Sequence, residues 1–483
     1  MVIKIKCFSV IVFLLLIANT GCQNFPGKED LSWLDGYNVL WDSQSLNSSE
    51  SMPLGGGDIG CNVWVEKGEL LFYIQRSGSL SESGEYLKLG RIRIKMSPNP
   101  LENSSSFRQE LILKDGYIRI ESESAEKNYT IKVKIRLWVE VLNPVIHVDI
   151  ESDKPVEVNA AYENWRTEDR ELSSDDNGRE RFGCFHLQGF PGKVIKTSDV
   201  VSQTENRILF YHRNPEKSLI PDVLIKQQGL EEYRDSINDD IGNRTFGGLL
   251  SGENFLAAGI DSGKYIITPY KSWIIKSQKP SEKHSLVIST HIDQTTTIDD
   301  WINSLNKIHD NALKNHNTVF RKTIEWWHEF WNRSHIMINP EKPDPEDPVW
   351  QMGRNYQLFR YQLGCNALGE YPTKFNGGNL TYDPSLVAGN SDFEADWRAW
   401  GGDVFTAQNQ RLVYWPMLKS GDFDAILPQF ELYRKGLPGA TARVKTHFGH
   451  NGAAYSEYTG VPGLELGAGW GWTDGTYRRR GRE

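Results

Sequence analysis

The segment FTAQNQRLVYWPM, residues 405 to 417, sets Gln408, Asn409, Gln410 and Arg411 directly ahead of Tyr414, Trp415 and Pro416. Amides that donate and accept hydrogen bonds thus stand at one end of a helically spaced stretch, and large rings stand at the other. Just upstream, Asp396-Trp397-Arg398-Ala399-Trp400-Gly401-Gly402-Asp403 places two indoles among carboxylates. In a loop, Trp397 and Trp400 offer faces on which a pyranose can stack, and Asp403 can accept from its hydroxyls. Glu457, in Gly452-Ala453-Ala454-Tyr455-Ser456-Glu457, follows a glycine turn and is a candidate general acid. The aromatic content, 16 Trp, 19 Tyr and 20 Phe, suits a protein that handles sugars, although cores use the same residues.

Other chemistries find less support. The 11 His show no pair at ligand spacing joined to cysteines or carboxylates, so neither a metal nor another cofactor is expected. A net charge of -9 argues against nucleic acid, whose binding depends on clustered cations that release counterions. The basic cluster Arg478-Arg479-Arg480-Gly481-Arg482 reads as a solvated tail. Cys61, Cys184 and Cys365 are too few for a disulfide framework and read as buried small hydrophobes.

The N-terminus reads as an export signal. Lys4 and Lys6 precede an apolar run from Phe8 to Ala18, about half of the ~20 residues a spanning helix needs. Thr20-Gly21-Cys22-Gln23 resembles a bacterial lipoprotein box, in which Cys22 would be lipidated and become the first mature residue. Diacylation supplies the multiple chains that stable anchoring requires. The expected protein is therefore an exported lipoprotein, in the periplasm or on the outer-membrane surface, tethered without spanning.

The elements that must position these residues divide by period. Ile131 to Leu137 alternates apolar and charged, and Val145 to Ile150 returns after Asn143-Pro144, which predicts a hairpin with one wet face. Similar strands are expected at Leu70 to Gln75, Arg91 to Met96, Gln109 to Leu113, Tyr117 to Ser122, Val156 to Ala161, Ile208 to His212, Phe255 to Ile260 and Ser285 to Thr290. With almost no helical period among them, residues 31 to 292 read as an antiparallel β-sandwich.

Residues 293 to 340 read as a helical linker of two helices, 297 to 313 and 317 to 333, separated at Asn315-His316-Asn317. Asp347-Pro348 supplies an N-cap and an N1 proline, and Val349, Met352, Tyr356, Phe359 and Leu363 form the inward stripe expected of a helix over 348 to 366. A loop rich in glycine and asparagine, 369 to 402, precedes helices at about 404 to 418 and 421 to 435.

These motifs carry a resemblance. Pro53-Leu54-Gly55-Gly56-Gly57-Asp58-Ile59-Gly60, Phe107-Arg108-Gln109-Glu110-Leu111 with Asp115-Gly116, Trp327 to Trp331 with Arg333-Ser334, and above all Asn409-Gln410-Arg411-Leu412-Val413-Tyr414-Trp415-Pro416 resemble, in order, segments of family 95 glycoside hydrolases, the inverting α-L-fucosidases and α-L-galactosidases. The resemblance implies a β-sandwich, a helical linker and an (α/α)6 barrel, with an oligosaccharide or polysaccharide glycan as substrate.

Inverting hydrolysis needs an acid on the leaving oxygen and a base-activated water on the opposite face, the carboxyls lying roughly 6.5–9.5 Å apart. In the family, two asparagines two residues apart assist the carboxylate. Asn409 matches the second, and Ala407 stands in place of the first. The positions of Ser456 and Glu457 align with two histidines, and the family's own acid and base lie beyond the stretch these residues match. Residues 341 to 483 number 143, against twelve helices averaging ~12 residues, so part of an (α/α)6 barrel is expected there. Tyr414 and Trp415 are expected to anchor the far half of their helix in its core.

The implied function is an exported inverting glycoside hydrolase acting on α-linked deoxy- or neutral sugars. The alternative is a non-catalytic carbohydrate-binding lipoprotein with a degenerate half-barrel. A phosphorylase of the same architecture would need a phosphate pocket of Arg, His, Ser and Thr, which the sequence does not assemble.

Overall fold

The computed structural model describes residues 30–126, 129–173, 179–402 and 404–472. Cys22, Asp403 and the arginine-rich tail lie outside the described residues.

A fifteen-stranded sheet, antiparallel throughout its pairings, forms two limbs that share the strand Val145–Asn164. The N-terminal half of that strand pairs with Tyr129–Val139 and Ser281–Gln294, and its C-terminal half with Gly90–Ser97 and Thr268–Ser277. Leu137, Val148, Ile150 and Ile288 of one limb join Val63, Ile92, Ile94 and Val158 of the other in one core cluster. Burying these faces against each other supplies the main hydrophobic stabilisation of the N-terminal part.

The predicted hairpin is present, with Ile135 opposite Ile150 and Leu137 opposite Val148. Ile131, Val133 and Ile135 are buried while Lys132 and Lys134 are exposed. All eight other predicted strands coincide with observed ones. One helix, α1 (Leu219–Gln227), interrupts the expected all-β stretch. Cys61, Cys184 and Cys365 are free and buried.

The two expected linker helices are one, α2 (Ile298–Trp331), 34 residues long. Thr297 caps it by accepting from the Asp300 N–H. The Asn315-His316-Asn317 triplet does not break it, because His316 falls in phase with the inward stripe of Trp301, Leu305, Ala312, Val319 and Trp327. There its Nε2 meets Asp149 at 2.9 Å and its ring meets Trp138 edge-on at 5.4 Å. A polar residue with a partner across the interface continues the helix as well as an apolar one.

Helix α3 (Pro348–Gly364) starts as predicted, Asp347 accepting from the Val349 N–H at 2.9 Å. Its inward face is rotated from the one expected: of the predicted stripe only Leu363 is buried, and Tyr356 and Phe359 are half-buried. Val349 is 49% and Met352 66% exposed, while Trp350, Gly353, Gln357, Arg360, Tyr361 and Gly364 are buried. The space is too narrow for the apolar stripe: a Cβ on Gly353 would lie 2.7 Å from the Tyr37 hydroxyl, and one on Gly364 2.8 Å from Trp327. Arg360 donates to the Ser334 and Phe330 carbonyls and to Asp422, and the Gln357 amide donates to the Ile336 carbonyl.

After a long loop come α4 (Ala407–Ser420) and α5 (Leu427–Phe448). The latter runs further than the predicted 421 to 435 because it continues through Pro438. Both end at left-handed glycines, Gly421 and Gly449. Among the described residues no helix is long and apolar enough to cross a membrane.

Candidate functional site at the N-terminal end of α4

The first turn of α4 brings together residues that lie far apart in the chain. Phe405–Thr406 pairs antiparallel with Tyr458–Thr459, which sets Glu457 over the helix start. The Ala407 N–H donates to the Glu457 carbonyl at 2.9 Å, and the Gln408 N–H to its carboxylate at 3.1 Å. Opening N–H groups of a helix lack partners within it, and Glu457 takes two of them. Asn409, half-buried, accepts from the Thr406 hydroxyl at 3.0 Å. Gln410 points the other way, into the protein, donating to the Thr373 carbonyl and the Gln429 side chain.

An aromatic wall stands beside this turn. The ring of Trp400 meets Phe182 at 4.9 Å and Phe185 at 5.4 Å, and Tyr458 meets Phe185 at 6.1 Å. Trp400 is 40% and Tyr458 38% exposed, so both present edges or faces to solvent. Trp400 holds φ at 56°, a left-handed conformation that costs a bulky residue of order 1–3 kcal/mol and clusters at functional positions. The backbone around it is fixed. Asn376 donates to the Ala399 carbonyl, and Gly402, at φ 75°, lies so close to the Gly84 carbonyl that a Cβ would sit 2.0 Å from it.

The same loop is fastened from below by a buried charged chain. Asp396 accepts from the Trp165 indole and from Arg166, both at 2.7 Å, and from the Lys88 N–H at 2.9 Å. Arg166 also pairs with Asp199, and His212 lies between Asp199 and Glu82 at 2.8 Å from each. Burial raises the Asp396 carboxyl, but the Arg166, Lys196 and Lys88 cations outweigh it and hold the group well below the carboxylate range. Burial likewise disfavours charge on His212, yet its hydrogen bonds to Asp199 and Glu82 lift it to about 9. Burial lowers Lys88 to about 8.

Two expectations fail. Trp397 is no sugar platform: only 9% exposed, it stacks on Phe393 at 4.0 Å and donates its indole N–H to the Arg179 carbonyl. Trp415 is no core anchor, being 60% exposed with the Arg411 guanidinium 5.5 Å over its ring. Tyr414 is the anchor, 2% exposed, its hydroxyl accepting from the Thr373 N–H at 2.7 Å.

Residues 40–336 match a sequence family described as a domain of unknown function, DUF5703. The chain belongs to this family. No curated protein matches it. Among solved structures, this DUF5703 chain is similar to a putative kojibiose phosphorylase from the human microbiome, at 15% identity and a TM-score of 0.47, over 89% of this chain and 52% of that one. It is also similar to a bacterial glucoamylase complexed with acarbose, at 10% identity and a TM-score of 0.37, over 88% of this chain and 56% of that one. The chain spans about half the length of both.

Of the residues singled out in the sequence, the α4 mouth of this DUF5703 chain gathers Asn409, Glu457 and Trp400. Sequence reading passed over Tyr458 and the pair Phe182 and Phe185, which enter from a separate loop. Among the described residues no group of three potential ligands could hold a metal ion. What the mouth offers chemically is a carboxylate, an amide and two partly exposed rings.

Proposed function

We propose that this protein is an exported glycoside hydrolase whose sugar enters at the N-terminal end of α4. The observation that carries the reading is the convergence of Trp400 and Tyr458, both exposed, with Glu457 and Asn409 at one helix end. A pyranose stacks on the rings, Glu457 protonates the glycosidic oxygen as the bond to the anomeric carbon breaks, and Asn409 orients the water that attacks from the opposite face. Inversion also requires a second carboxylate to take the proton of that water, a role for which none of the residues gathered at the mouth is proposed. The resemblance to family 95 favours α-linked deoxy- or neutral sugars and inversion.

A specific observation favours a second reading, a carbohydrate-binding protein without turnover: the Glu457 carboxylate is already engaged as a helix cap by the Gln408 N–H. Assays of wild type and Trp400→Ala on α-L-fucosides, α-L-galactosides and related pyranosides, with glycan binding measured in parallel, separate the two. Turnover abolished by the substitution supports the hydrolase. Binding to glycans with no cleavage of any substrate supports the binder, and neither activity would sink both.

A further inference from the structure

Two clefts of about 670 and 600 Å³ adjoin on the outer face of the second limb and share Asp261 and Tyr270. Each volume lies within the ~300–1,000 Å³ of small-molecule sites. The clefts lie on the opposite side of the sheet from the core: Val158, Ala160 and Tyr162 point into the core cluster, while the alternate residues Asn159, Ala161 and Glu163 line the floor. The hairpin Phe255–Tyr265 and Thr268–Ser277 forms the wall.

From this chemistry we infer that the outer face of the second limb is a second glycan-binding site, for a neutral saccharide chain laid past Tyr270. The ring of Tyr270 lies half-exposed between the clefts, across Gly263, its partner in the hairpin register. A Cβ on Gly263 would lie 2.6 Å from the Tyr270 hydroxyl, so the glycine makes room for the ring.

Charges on either side come in compensated sets. Glu69 pairs with Arg93 and Lys95 in one cleft, and Glu394 with Arg170 and Lys196 in the other. Such sets donate and accept at neighbouring positions, which is what vicinal hydroxyls require. A polyanion would meet Glu69, Glu163, Glu394 and Asp261. A lipid or an apolar peptide would have to desolvate these charged sets.

The ligand class is shared with the proposed function, but the residues are not, so each reading can fail alone. Affinity electrophoresis of the full chain in gels containing xylan, mannan, laminarin or dextran, with heparin as the acidic control, tests the site. Wild type should be retarded by at least one neutral polysaccharide and not by heparin. Tyr270→Ala should weaken that retardation roughly tenfold in Kd, about what the loss of one aromatic stacking contact brings, and Tyr270→Phe should retain it.

Asp261→Ala, an exposed change lining both clefts, should weaken it too and decides the matter should Tyr270→Ala fail to fold. Trp400→Ala, which acts at the α4 mouth, should leave a retardation that Tyr270→Ala in the same background still weakens. No retardation by any neutral polysaccharide, retardation by heparin alone, unchanged retardation in both cleft variants, or its loss in Trp400→Ala would each overturn the inference.

Discussion

The Glu457 carboxylate accepts the Gln408 N–H at 3.1 Å, one residue before Asn409. The carboxylate proposed as general acid therefore also caps the helix that carries the amide, and substitutions there must be read for activity and stability together. Glu457→Ala should cost about 1 kcal/mol through the lost cap and lower turnover ~10²–10⁴-fold as the general acid is removed. Glu457→Gln keeps a capping oxygen and should lose turnover alone. Wild-type turnover in Glu457→Gln would leave capping as its whole role.

Asn409→Ala removes the acceptor of the Thr406 hydroxyl, a bond worth about 1 kcal/mol. Turnover should fall by a larger factor than that, though by less than in Glu457→Gln, because an orienting amide carries only part of a proton-transfer step. Parallel kinetics and thermal melts check this. Equal, small changes in both would make Asn409 a turn residue only.

Tyr414 and Trp415 are neighbours with opposite environments, 2% and 60% exposed. Tyr414→Ala should destabilise by roughly 3–5 kcal/mol, as removal of a buried aromatic does. Trp415→Ala should stay within ~0.5 kcal/mol. Denaturant melts of the two variants give the comparison directly, and a large loss in Trp415→Ala would show that its ring is covered in solution.

The buried chain Glu82–His212–Asp199–Arg166–Asp396 predicts stability limits at both ends of the pH scale. His212 rises from its ordinary 6.5 to about 9, so its contribution is complete below about pH 6.5 and is lost as the pH climbs through 9. Glu82, Asp199 and Asp396 are depressed. Their contribution is complete above the ordinary carboxylate range, near pH 4, and disappears on further acidification. Melting temperatures from pH 3 to 10 should form a plateau between about 5 and 6.5 and decline from there toward pH 8, above which Lys88, lowered to about 8, offsets the loss as it gives up its proton. In His212→Gln the alkaline slope should flatten, and an equal slope in both proteins would exclude His212 as its source.

Export is tested at Cys22. Cys22→Ala should move the protein out of the membrane fraction of a bacterial host, and unchanged association would exclude a lipid anchor at that residue.

The strands were legible because alternation is local: Lys132 and Lys134 between Ile131, Val133 and Ile135 record which face is wet. The continuity of α2 was hidden because the partner that makes His316 an inward residue, Asp149, lies on a distant strand. The face of α3 was misjudged for a related reason. Narrow spacing selects glycine at 353 and 364, and apolar periodicity counts methylenes, not room. Of the residues gathered at the candidate site, Asn409, Glu457 and Trp400 were singled out by residue type and motif. Trp397, three residues before Trp400 and of the same type, is buried by its stacking on Phe393 and its bond to the Arg179 carbonyl, which nothing in the local pattern records. The frame of Arg166, Asp199, His212 and Asp396 draws on four separate segments, so no window of sequence contains it.

The strand Val145–Asn164 gives its two halves to different limbs, and this fixes how the N-terminal part must assemble. Its partners include residues near 92, 135, 275 and 287, so much of the chain has to be synthesised and searched before the strand is fully paired. Non-local pairing of this kind slows folding. Neither limb can close without drawing in the strand that the other needs. Unfolding follows the same constraint: loss of either limb strips half the hydrogen bonds from the shared strand, and the two should be lost in a single cooperative step.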